Sequence, residues 1–258
     1  MVAGQNTKIT RDGTPKKYFT LSFDDGIIQD RRVLEILRKY GAYCATFNIN
    51  TAYFGYDNSE FIQWAYKCPS LTHIRLTEDE VRGGIYDGFE LAVHTLHHPS
   101  LKVYDTAPDK IREEICGDAE NIERLCGIYP IGMAWPGGDG DYTDITVKHV
   151  YENTPVRYAR GSTSTYSFDL PDTFLKWYPT CSFLDGKTVE LTREFLEAKP
   201  EKDMLFYVWA HSYEFDVPGA RSYGEFEEFI KAISSAEDVV LLTNAEFYQL
   251  FKDEIPSV

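Results

Sequence analysis

Short apolar runs alternate with stretches of helical periodicity from Tyr18 to Phe251, and this alternation restricts the fold more than any other feature of the chain. Residues 18–23, 42–49, 89–93, 131–135, 156–159, 204–210 and 239–242 read as strands, short and mostly apolar. Between the first two, residues 31–40 carry Val33, Leu34, Ile36 and Leu37 at helical spacing and stop at Gly41. The clearest helix is expected at 108–126. There Ile111, Ile115, Ala119, Ile122 and Cys126 recur every three or four residues, Pro108 occupies the first turn and Gly127 follows the last. Shorter helices are expected at 59–66 with Ser59 as cap, after the Thr77-Glu78-Asp79-Glu80 capping box, at 142–151, at 223–233 and from the Thr243 cap to Phe251. Strands and helices in alternation build a mostly parallel α/β sheet or barrel, because parallel neighbours need long crossovers. Residues 161–200, rich in Ser, Thr, Pro and Asp, break the rhythm and read as irregular.

No repeat or compositional break divides residues 18–252, which read as a single domain behind a polar, flexible segment at 1–17. The chain is 43% hydrophobic and 26% charged, enough for a full core. A formal net charge of -15 excludes a nucleic-acid backbone as partner, since phosphates need clustered Lys and Arg. No apolar stretch approaches the length of a membrane span. No leader pattern opens the chain, and Cys44, Cys68, Cys116, Cys126 and Cys181 show no paired spacing. Both features lead to the expectation of a cytoplasmic protein with reduced thiols, although a secreted protein without its leader reads the same.

Chemistry-bearing residues collect just after the strands. Asp24 and Asp25 end the first; His94, His97 and His98 follow FELAV; Trp135-Pro136-Gly137-Gly138 follows IGMA; His211 follows MLFYVWA. In parallel α/β folds such strand ends share one rim. Four of the six histidines stand at strand ends, whereas His73 and His149 do not and read as solvated or structural. Adjacent aspartates repel, and a bound cation relieves that repulsion. A carboxylate and two imidazoles form a catalytic metal face with positions left for water and substrate. Asp25, His94 and His98 supply such a face, with His94 and His97 as the alternative histidine pair. Pro99 disfavours helix at His98, so the two rings must converge from a bent loop. Asp24 then stays off the metal and serves as a base. These donors accept zinc, the expected metal, and also cobalt, nickel or iron. In the Pro-Gly-Gly turn, Gly137 allows a backbone N–H to approach a ligand and donate to an oxyanion.

LSFDDG at 21–26, HTLHHP at 94–99, AWPGG at 134–138 and AHS at 210–212 resemble, in order, the motifs of the polysaccharide deacetylases of carbohydrate esterase family 4, the NodB-homology domain. The resemblance covers nearly all of residues 18–250. It implies a distorted (β/α)7-type barrel, the glycoside hydrolase/deacetylase fold, and a metal-dependent hydrolase that removes N- or O-acetyl groups from a sugar or oligosaccharide. Matched residue by residue, it implies Asp24 as base, Asp25, His94 and His98 as metal ligands, the Gly137 N–H at the oxyanion and His211 as acid. Trp135, Tyr142 and Trp209 become candidates for stacking on a sugar ring, with at least one of them in the core. Two positions depart from the pattern. GMAWPGG lacks the arginine that supports the base in many members, and Arg160, in YARG, is the expected stand-in. The family's aspartate-tryptophan stretch, whose aspartate tunes the acid histidine, has no match, and Glu214 in HSYEF is its candidate replacement. These departures keep two alternatives open: hydrolysis of a non-sugar amide, and a sugar-binding protein with a retained but inactive site.

Overall fold

Polar and apolar side chains alternate along Thr20-Leu21-Ser22-Phe23-Asp24, so opposite faces of this strand must meet different surroundings. A computed structural model describes residues 11–258 and shows how. Strands β1 (Lys17–Asp25), β2 (Ala45–Ile49), β3 (Glu90–Val93), β4 (Gly132–Ala134), β5 (Tyr158–Arg160), β6 (Cys181–Ser182), β7 (Met204–His211) and β8 (Val239–Leu241) make one parallel sheet. Helices α1 (Asp30–Lys39), α2 (Ser59–Tyr66), α3 (Glu78–Arg82), α4 (Pro108–Cys126), α5 (Asp144–Asn153), α6 (Thr188–Glu197), α7 (Tyr223–Ser234) and α8 (Asn244–Phe251) connect and cover it. The order is β5-β4-β3-β2-β1-β7-β6, with β8 beside β1. One edge of β1 follows β7 from Lys17↔Met204 to Asp24↔His211. The other edge is shared, β8 pairing Lys17–Phe19 and β2 pairing Leu21–Asp25. This is a distorted parallel half-barrel of the (β/α)7-like kind.

Phe19, Leu21 and Phe23 pack outward with Phe47, Ile49, Val93, Phe206 and Val208 in the core beneath the helices. Thr20, Ser22 and Asp24 turn the other way, into a polar interior. Thr20 Oγ1 donates to Asn244 Oδ1 at 2.8 Å, and Asn48 Nδ2 approaches Ser22 Oγ at 2.8 Å and Asp24 Oδ1 at 2.9 Å. Buried hydroxyls and amides are tolerated there because they satisfy one another. The aromatic residues Tyr18, Phe174, Trp177, Tyr207, Phe247 and Phe251 pack together around β1, β7 and α8, the end of the interior farthest from Asp24.

The structure differs from the sequence expectations in residues 161–200 and at several element boundaries. Residues 161–200 contain β6 and α6, and the chain between β5 and β6 also spans the gap that the ladder leaves open. Trp177 bridges Arg160 in parallel, and the Thr180 N–H donates to the Tyr207 carbonyl at 2.8 Å. Strand β2 begins at Ala45 rather than residue 42. The cap of α2 is Asn58; Ser59 lies inside the helix, and its hydroxyl accepts the His73 N–H at 2.9 Å. Of the segment 1–17, expected to be flexible, residues 1–10 lie outside the described residues. Arg11 pairs with Asp203 at 2.6 Å, and Lys17 is a buried residue of β1 whose Nζ reaches Asp238 at 2.7 Å.

Phe247 is fully buried, stacks on Phe251 at 4.5 Å and meets Tyr18 edge-on at 5.8 Å. Phe247→Ala should therefore cost about 3–5 kcal/mol of unfolding free energy. Denaturant unfolding measures this, and a loss below about 1 kcal/mol would show that the aromatic cluster is not a structural support.

Candidate metal-dependent active site

The parallel ladder sets the ends of β1, β2, β3 and β7 side by side, and the site lies along that rim. Asp24 and Asp25 close β1. Asp25 sits at φ 85°, an uncommon conformation for a residue with a side chain, and Thr95 and His98 share it at φ 66° and 51°. Gly26 follows at φ 65°, where a Cβ would meet Ile49 Cγ2 at 2.8 Å, so the chain can turn there only with glycine. The 94–98 loop is held from beneath. Asp118 on α4 accepts the His94 N–H at 3.1 Å and the Thr51 N–H at 2.8 Å, while Asn50 donates to the Thr95 carbonyl at 2.9 Å.

Asp25, His94 and His98 offer ligand atoms that all lie within 4.8 Å of one another. His94 supplies the test of whether a metal fits. Its Nδ1–H donates to the Ala134 carbonyl at 2.9 Å, which leaves the lone pair on Nε2. That nitrogen is buried without a hydrogen-bond partner, 3.9 Å from Asp25 Oδ1 and 4.0 Å from Asp24 Oδ2. Burial holds the His94 pKa down at about 4, so the ring is neutral and ready to ligate at pH 7. These donors fit a divalent cation.

His97 lies outside this group; its Nδ1 meets Glu114 at 2.9 Å and the ring is largely exposed. His149 reaches the Asp105 carbonyl at 3.1 Å. Sequence reasoning missed His73, which is buried rather than solvated. Its Nε2 lies 2.8 Å from Asp25 Oδ2, and Arg75 Nη1 lies 2.8 Å from Oδ1. The alternation His73-Ile74-Arg75 places both side chains on one face, but only the pairing of this segment with residues 26–28 aims that face at Asp25.

Asp24 is held from two sides. Arg160 on β5 is ion-paired with Oδ2, lies over the Trp209 ring at 4.4 Å, and is itself buried. Burial alone would raise the Asp24 pKa; the charges of Arg160, His94 and His211 overcome it and hold the group below the usual carboxylate range. Asp24 is thus ionised, 4.0 Å from both His94 Nε2 and His211 Nε2. His211 keeps 22% of its side-chain surface exposed, and its Nδ1 lies 3.5 Å from Glu214 Oε2. Burial depresses its pKa, but Glu214, Asp25 and Asp24 outweigh that and raise it to about 9. Gly137 stands at φ 70° in the turn after β4, three residues beyond the carbonyl that holds His94, and a Cβ there would collide with Asp141. Trp135 is core: it is buried, stacked on Tyr142 at 4.3 Å, and donates its Nε1–H to the Leu175 carbonyl.

A half-barrel of parallel strands with an Asp-His-His group at its rim defines a metal-binding class of α/β protein, with an ionised carboxylate and a cationic histidine beside the ligands. The model of the polysaccharide deacetylase family matches residues 11–159, more than half of the chain. The chain belongs to that family. Solved structures agree on the fold. A polysaccharide-deacetylase-type protein from Mycobacterium smegmatis has a TM-score of 0.60 at 16% identity, over 97% of this chain and 96% of its own. A family 4 acetyl xylan esterase from Clostridium thermocellum, solved with a cobalt ion, gives 0.53 at 16% identity over 93% of each chain. Peptidoglycan deacetylase PdaC from Bacillus subtilis gives 0.50 at 17% identity, over 92% of this chain and 93% of its own. No curated protein sequence matches. Among the described residues, no helix is long and apolar enough to cross a membrane.

A histidine whose pKa is raised in the folded state stabilises that state fully below its unfolded value, about 6.5, and loses the contribution as pH rises. The His211–Glu214 pair should therefore support the fold at pH 6 and lose its effect through about pH 9. An NMR titration of the imidazole in chelator-treated protein should give a midpoint near 9, shifted downward in Glu214→Gln. A wild-type midpoint at or below 6.5 would rule out the pairing.

Proposed function

We propose that residues 18–252 form a single catalytic domain that hydrolyses acetyl groups from an N-acetylated or O-acetylated carbohydrate with the help of one divalent metal, zinc by preference. One observation carries the reading: a buried, unpartnered His94 Nε2 faces Asp25 and His98 within reach of an ionised Asp24 and a cationic His211. Asp25, His94 and His98 would hold the metal, which would supply Lewis-acid polarisation of the acyl carbonyl and acidify water.

The chain's own groups divide the remaining work. Asp24, kept ionised and oriented by Arg160 and Asn48, accepts the proton of the attacking water. The Gly137 N–H donates to the carbonyl oxygen as negative charge builds there. His211, protonated at neutral pH, gives its proton to the departing amine or alcohol. Glu214 keeps that proton in place until it is needed. An amine is a poor leaving group without protonation, so His211 matters most for N-acetyl substrates.

Acetate release from N-acetylglucosamine oligomers and from acetylated xylan, with zinc added and after chelation, tests the reading. Zinc-dependent release from either supports it; none from both, with stoichiometric zinc bound, would overturn it. His98→Ala should lose both metal and activity. Asp24→Asn and His211→Ala should keep the metal and lower turnover by roughly 10²–10⁴-fold, the usual worth of positioned acid–base groups. The His211→Ala loss should be smaller on an activated O-acetyl ester than on an N-acetyl sugar, and an equal loss on both would remove His211 as the leaving-group acid.

A further inference from the structure

The segment between β2 and α3 returns to the rim as a short antiparallel addition. Ile27 bridges Arg75, the Ile28 N–H donates to the Ile74 carbonyl at 2.9 Å, and the Leu76 N–H donates to the Gly26 carbonyl at 2.9 Å. Its outer side is tied in turn, with the Arg75 N–H on the Tyr56 carbonyl and the Asn58 N–H on the His73 carbonyl, both at 2.9 Å. Residues 73 and 75 thus share one face, fixed by main-chain bonds, and that face meets Asp25. The His73 ring is buried edge-on against Tyr213 at 5.0 Å. An ionised carboxylate only accepts, so His73 Nε2–H donates to Oδ2. Arg75, also buried, bonds the Asp25 main-chain carbonyl and stands 2.8 Å from Oδ1. Oδ1 is also the oxygen 3.9 Å from the free His94 nitrogen.

We propose that His73 and Arg75 are positioning residues for the ligand Asp25 and act on metal affinity in opposite directions. His73 pins Oδ2 and so turns Oδ1 toward the metal position. Arg75 supplies the charge that keeps a buried carboxylate stable without a cation, and it competes with the cation for the same oxygen. A fixed positive charge beside a divalent ion repels it, whereas a buried carboxylate left with no cation is costly. Arg75 therefore trades metal affinity for a site that stays folded when empty. The inference rests on Asp25, His94 and His98 binding metal.

Zinc affinity, measured by competition with a chromogenic chelator, and the thermal midpoint of chelator-stripped protein test it. His73→Phe should weaken zinc binding by about 10–100-fold, with partial rescue in His73→Gln, which retains a donor. Arg75→Gln should lower the midpoint of the stripped protein yet bind zinc roughly threefold tighter or more, so that zinc raises its midpoint further than that of wild type. Arg75→Lys, which keeps the charge, should stay near wild type. Arg75→Gln weakening zinc as His73→Phe does, or leaving affinity unchanged, would overturn the proposal. If Arg75→Gln does not fold, a crystal structure of the zinc-loaded wild type decides. Arg75 Nη1 should withdraw from Oδ1 beyond hydrogen-bond range, about 3.5 Å, and its persistence at the distance seen here would overturn the competition. Failure of wild type to bind zinc would instead remove the metal reading itself.

Discussion

Two neighbouring carboxylates are buried at the end of the central strand, and everything else at the rim answers to them. Removing one partner of a buried ion pair typically costs about 3–5 kcal/mol, so neither aspartate can be left alone. Each has its own arginine: Arg160 from β5 for Asp24, and Arg75 from the segment before α3 for Asp25. Because successive side chains of a strand point apart, the two cations must arrive from different directions. One comes across the barrel interior and the other over its lip. The fold is thus committed to bringing residues 24–25, 75 and 160 together.

The same surroundings split two histidines into opposite states. His94 is enclosed with its remaining nitrogen unpartnered, and desolvation keeps it neutral. His211 is equally close to Asp24, but Glu214 faces its other side and keeps it charged. Neutral imidazole suits a metal ligand and imidazolium suits a proton donor, so residue type alone assigns neither role. The deciding factors are enclosure away from water for His94 and a carboxylate three residues along for His211.

What the sequence revealed follows from the range of the forces involved. Helix α4 is legible to its ends, Pro108 and Cys126, because periodicity, proline and glycine act locally. The strand ends carrying Asp24, Asp25, His94, His98 and His211 are legible for the same reason. Strand β6, two residues long, has no pattern of its own and exists only because β7 offers a partner. Helix α6 lacks a side-chain cap and starts with Thr188, whose hydroxyl bonds back to the preceding turn. His73 and Arg75 were invisible because nothing local aims them; a main-chain pairing with residues nearly fifty positions earlier does. Thr20 and Ser22 carry a pattern with two readings. Polar residues alternating along a strand suggest a solvated face, yet here they face a polar interior.

The shared edge of β1 carries a consequence for how the molecule is assembled at the ribosome. Asp25, His94 and His98 are translated together with β2 and β3, more than a hundred residues ahead of β7. Strands β7 and β8, which complete both edges of β1, arrive only after residue 204. Long-range pairing of this kind forms late, because closing the intervening chain costs entropy before any contact repays it. The Asp25-His94-His98 group is therefore synthesised well before the barrel wall that carries His211. During synthesis the candidate metal face thus precedes His211, which is set beside Asp24 only when β7 docks against the first strand.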